Sequence, residues 1–185
     1  MVDSNINIPD DTRRSRGIWM NNEDKARELL KANEDGKILG YRFSNIRVLK
    51  RAFTRAAYAK ELQDKTKKEH EHQEPLATLG DAILKAALTD FMFHTGLKTA
   101  QEITEAKSKQ ESDPALAKWA DRLELSQYIM LGGSEEAGGL EKTPSILATT
   151  FEALIGALYL DTGCDLNRVK EIIVPWHALL LENQP

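Results

Sequence analysis

The run ILATTFEALIGALYL, from Ile146 to Leu160, holds a single charged side chain, Glu152. Its apolar positions keep a helical period, with Pro144 near the start and Gly163 past the end. A second stretch, Leu76 to Phe93, has apolar residues at 76, 79, 83, 84, 87, 88 and 91, the stripe of a core-facing helix. The period returns from Ala115 to Leu123, behind Pro114, and no strand alternation or internal repeat competes with it. The expected fold is an all-α helical bundle forming one domain over residues 19–185.

The other segments are polar or short. Residues 1–18 carry Pro9 and Gly17 but no hydrophobic period, so a flexible tail is expected. Asn21 to Ala32 reads as a polar helix, with Gly36 and Gly40 as breakers beyond its end. Ser44 is placed to cap a basic amphipathic helix with apolar positions Ile46, Leu49, Ala52 and Phe53. Residues 60–73, KELQDKTKKEHEHQ, read as a solvated connection or a frayed helix end.

Net charge is -4 at pH 7, so any surface for nucleic acid must be local. Nine lysines and arginines between Arg42 and Lys68 supply one candidate, Arg47, Lys50, Arg51 and Arg55 among them, although a merely solvated face reads equally well. The one cysteine, Cys164, excludes an intrachain disulfide and fits a reducing, cytoplasmic compartment. The amino terminus lacks the apolar run of a secretory signal, and no stretch reaches the length of a membrane span.

Two acids stand out. Glu152 is costly to desolvate in so apolar a helix unless a cation, a metal or hydrogen-bond donors lie beside it. Asp81 follows Gly80, whose missing side chain lets a backbone or ligand approach, and precedes Lys85 by the four residues of an ordinary helical ion pair. Taken singly, each reads better as a structural carboxylate than as a metal ligand. The pair His70 and His72 with Glu74 lacks the helical spacing of a zinc site and reads as a solvated loop. The three tryptophans read as core anchors.

Four ordered segments resemble the ribonuclease III family. They are Ala52-Phe53-Thr54-Arg55-Ala56-Ala57-Tyr58, the stretch from Glu74 to Asp81, Gly132-Gly133-Ser134-Glu135-Glu136, and the run from Ser145 to Asp161. The similarity spans roughly Tyr41 to His177. It implies a metal-dependent endonuclease domain that cleaves double-stranded RNA as a homodimer, with Mg2+ (or Mn2+) held by four carboxylates. Asp81 and Glu152 stand at two of those positions, while Ala77 and Thr149 stand where the family has the other two. Glu74, seven residues before Asp81, is a further candidate ligand if its helix extends that far.

The halved site implies weak metal affinity and slow turnover. Thr78 stands where the family often has a large apolar residue at the subunit contact. The chain ends at Pro185, which leaves no room for the double-stranded RNA-binding domain of many members, so low substrate affinity or a helping partner is expected. The alternative is a noncatalytic RNA-binding or assembly module that kept the fold after its acids decayed.

Overall fold

A computed structural model of the chain describes residues 20–181, with side chains from 20 to 175. The tail expected over residues 1–18 and the side chains of Trp19 and Trp176 lie outside the described residues. The described residues form nine α-helices and two short 3-10 turns, with one isolated β-bridge between Thr54 and Met130 in place of strands. The helices are α1 (Asn22–Glu34), α2 (Ile46–Ala52), α3 (Ala56–Thr66), α4 (Glu74–His94), α5 (Ala100–Gln110), α6 (Asp113–Arg122), α7 (Gly133–Ala137), α8 (Pro144–Asp161) and α9 (Leu166–Leu181). No described helix is long and apolar enough to cross a membrane.

Helix α8 is the axis of the bundle, and α4, α6, α2 and α9 pack around it. Eleven of its residues are buried, on every side, which is why its sequence lacks a polar face. Phe151, Leu154 and Ile155 are fully enclosed, and the Trp119 ring of α6 leans on Phe151 with centroids 5.4 Å apart. Trp119 is thus a core anchor, as expected from sequence.

Some boundaries differ from the sequence reading, for identifiable reasons. The first helix runs to Glu34 and is capped by Asn21, whose side chain accepts from the amides of Glu23 and Asp24 at 3.0 Å each. Asn45, not Ser44, caps α2, its side chain accepting from the Val48 amide at 3.2 Å. Residues 60–66 are helical, as the second half of α3, which ends where Lys67 turns left-handed at φ 55°. Only Ala59 of α3 is buried, so the apolar period that reveals other helices is missing from it.

Ser44 is occupied elsewhere. The Asp161 carboxylate, at the end of α8, accepts from the Tyr41 hydroxyl (2.8 Å), the amides of Ser44 (2.9 Å) and Asn45 (2.6 Å), and the Ser44 hydroxyl (3.2 Å). One acid thereby ties the exit of α8 to the start of α2. Burial works to raise the Asp161 pKa, but these hydrogen bonds outweigh it and hold the carboxyl below its ordinary value. Asp161→Ala is therefore expected to cost about 2 kcal/mol in urea denaturation near neutrality. Because the folded-state pKa is the lower one, the wild-type advantage is full above the ordinary carboxylate range. It fades as acid titrates the folded carboxyl. An advantage that is unchanged in strong acid contradicts this account.

Candidate active site

Two glycines set the geometry where α4 crosses α8. A Cβ on Gly80 would collide with the Glu152 carbonyl oxygen and lie 2.7 Å from the Gly156 nitrogen. A Cβ on Gly156 would collide with the Leu76 carbonyl oxygen and lie 3.2 Å from the Gly80 nitrogen. The helices thus touch backbone to backbone, and the residues flanking the crossing, Asp81 on α4 and Glu152 on α8, come within each other's electrostatic field.

Their surroundings differ. Asp81 is paired with Lys85, one turn along α4, whose ammonium donates to Asp81 Oδ2 at 2.7 Å. Glu152 is half-buried and has no hydrogen-bond or ion-pair partner among the described residues. Burial, then the charges of Asp81 and Asp113, push its pKa up to about 7, against a smaller lowering by Lys85. Asp113, at the start of α6, and Glu111, just before it, add negative charge near the crossing, Glu111 through its action on Lys85. Neither stands out in the sequence, because only the return of α5 and α6 past α4 brings them there.

Other candidate residues lie apart or are otherwise engaged. Glu74 opens α4, so the helix does extend that far, but its side chain is 61% exposed and lies 3.9 Å from His72 Nδ1. Ala77 is buried beneath Asp81 on the same face of α4. Thr149 turns its hydroxyl back to the Ser145 carbonyl at 2.8 Å, a bond within its own helix. His70 meets the Thr66 hydroxyl at 2.9 Å, and no group of three or more metal-binding side chains occurs among the described residues.

The basic residues proposed from sequence are largely paired. Arg47 and Arg51 both reach Glu71, at 2.8 and 3.1 Å, and Arg51 also donates to the His72 carbonyl. Arg55 holds one Glu135 oxygen through two guanidinium nitrogens, at 3.1 and 2.8 Å. With the buried Gln73 amide turned so that its oxygen faces Arg55, that oxygen accepts from the guanidinium at 3.1 Å and its nitrogen donates to the Ala52 carbonyl at 3.0 Å. Lys50 makes no ion pair among the described residues.

The sequence model of the ribonuclease-III-like family matches residues 45–175. The chain belongs to this family. Among ribonuclease III relatives, Ribonuclease 3 of Bacillus cytotoxicus is 36% identical over 156 residues, covering 83% of this chain and 62% of the relative. Ribonuclease 3 of Listeria monocytogenes is 36% identical over 140 residues, covering 74% and 60%. The chain therefore spans about three fifths of the length of these curated relatives.

Two solved structures of the ribonuclease III nuclease domain from Campylobacter jejuni share the all-α fold. One, described for flexibility in a region involved in dimer formation, superposes with a TM-score of 0.68 at 26% identity, covering 79% of this chain and 94% of that one. The other has a TM-score of 0.65 at 27% identity, covering 84% and 93%.

Proposed function

We propose that this chain is a metal-dependent endoribonuclease domain that cuts double-stranded RNA slowly, as a homodimer in the cytoplasm. The observation that carries the reading is Glu152, a half-buried carboxylate without a partner, facing a second acid across a glycine crossing. Leaving such a group uncompensated costs stability, and sites of function are where that cost is met. The relatives contribute the substrate class, and the Campylobacter jejuni structure, with its dimer-forming region, supports the homodimer.

The two acids fit one divalent ion. Magnesium accepts one or two carboxylates and fills its other positions with water and phosphate oxygens, and the unneutralised charge at Glu152 is the kind of charge a cation relieves. The chemistry a bound magnesium or manganese ion supplies is activation of water for attack on a phosphodiester, with compensation of the charge gathering on phosphate. Asp81 and Glu152 would hold it, α4 and α8 fixing their separation. Glu74 would act from outside the pair of ligands. Lys50 is the basic residue most ready to meet a phosphate, whereas Arg47, Arg51 and Arg55 must first leave Glu71 or Glu135.

A noncatalytic RNA-binding module is the second reading, favoured by the Lys85 ion pair on Asp81 and by the absence of a third ligand among the described residues. Incubating a long RNA duplex with wild type, Asp81→Asn and Glu152→Gln in magnesium or manganese separates the two. The nuclease reading expects cleavage by wild type and a loss of about a hundredfold or more in each variant. Ala77→Glu with Thr149→Asp should raise the rate by about tenfold or more by returning ligand charge. Equal residual cutting by wild type and both variants marks a contaminant and ends this reading.

A further inference from the structure

We propose that the Lys85 ammonium is the resident cation of this site, and that a divalent ion binds Asp81 and Glu152 only by displacing it. The inference takes from the nuclease reading where the ion binds, but it concerns occupancy and not cleavage. Lys85 donates to Asp81 Oδ2 at 2.7 Å, so one of the two acids already carries a counter-ion. Its charge is also felt at Glu152 and Glu111, neither of which it contacts, so the one ammonium that touches Asp81 lies in the field of two further carboxylates.

A second lysine, Lys107, is not a substitute. Lys107 on α5 is turned to Glu111, 3.6 Å away, and the second oxygen of Glu111 is buried without a hydrogen-bond partner. Excess negative charge thus surrounds Lys85, and no other cation touches Asp81 among the described residues.

Lys85 is also built to leave. Its side chain is 45% exposed, and a lysine stem is a flexible tether whose head can turn to water while its methylenes stay against the helix. Because Asp81 and Lys85 stand one turn apart on a single helix, their pair needs no other element to form. An incoming ion therefore competes with a group that is always nearby, and the apparent metal affinity falls accordingly. Removing the ammonium frees an Asp81 oxygen and removes a positive charge that repels the ion.

The test is direct binding of Mn2+ alone to the full chain at low ionic strength, following free Mn2+ by its paramagnetic resonance signal. Far-ultraviolet circular dichroism checks that each variant is folded. Lys85→Met and Lys85→Gln are expected to bind Mn2+ about tenfold tighter or more than wild type, whereas Lys85→Arg, which keeps the charge, stays near wild type. Adding Asp81→Asn or Glu152→Gln to Lys85→Met should erase the gain. Folded Met and Gln variants that bind no tighter than wild type overturn the inference, as does a gain that survives loss of either acid. Tighter binding without duplex cleavage by any variant upholds the inference and ends the nuclease reading. Cleavage without tighter binding does the reverse.

Discussion

Gly80→Ala is expected to lower the stability of the fold by about 3 kcal/mol or more, although alanine is the better helix former by about 1 kcal/mol. The sign is decided by what the new methyl meets. It would overlap the Glu152 carbonyl oxygen and sit 2.7 Å from the Glu152 carbonyl carbon, and backbone cannot turn aside as a side chain can. The helices must separate, and the apolar groups enclosed along α8 lose contact with α4. Gly156→Ala presses on the same crossing from the other side, against Leu76. Its cost should be similar. The double variant should lose less than the sum, because one separation relieves both clashes. Urea denaturation with far-ultraviolet circular dichroism measures all three, and a Gly80→Ala protein as stable as wild type would show that the helices do not touch as described.

Glu152→Gln should stabilise the metal-free protein by about 1 to 2 kcal/mol at pH 8, after allowance for screening by solvent at a half-buried group. Folding raises this carboxyl from its ordinary 4.5 to about 7, through burial first and the neighbouring acids second. Between those values the folded chain keeps a proton that the unfolded chain has released. Wild-type stability therefore falls as pH rises from about 4.5 to 7, and levels off above. Glutamine, which never ionises, escapes the penalty. Below about 4.5, where both states hold the proton, the two proteins should be nearly equal. Thermal or urea unfolding in a chelator across this range reads the difference. A gap that does not change with pH, or a glutamine variant less stable at pH 8, removes the uncompensated charge from the account. The same substitution is expected to lower cleavage by about a hundredfold or more, so stability and activity should move in opposite directions.

The parts of the molecule legible in the sequence are those whose burial is repetitive. Helices α4, α6 and α8 announce themselves because each turn of them meets the core. By contrast, α3 buries only Ala59 and α5 buries nothing, so neither has a period to find. For α5 another signal exists. Thr99 and Glu102 form a capping box, with the Thr99 hydroxyl accepting from the Glu102 amide at 3.1 Å and the Glu102 carboxylate accepting in return. Helix α9 carries Pro175 within it, a residue that usually argues against a helix interior.

The site divides in the same way. Asp81 and Glu152 are visible because an acid among apolar residues is conspicuous, and Gly80 correctly suggests a close approach. Lys85 is visible only as a helical neighbour of Asp81, since its action on Glu152 requires the crossing. Glu111 and Asp113 sit in ordinary polar surroundings along the chain, and only tertiary structure gives them a bearing on the site. Arg55 has a partner that the sequence does not announce. Its place in a basic segment suggests phosphate, and the fold adds a pairing with Glu135.

That arginine also ties together segments far apart in the chain. Arg55 receives support from Gln73 ahead of α4 and from Glu135 in α7, while its own amide bonds the Met130 carbonyl. Three distant stretches of polypeptide thus share one knot, and replacing any one member leaves a shielded charge or amide stranded. A substitution at 55, 73 or 135 alone is therefore expected to cost more than the loss of one surface contact.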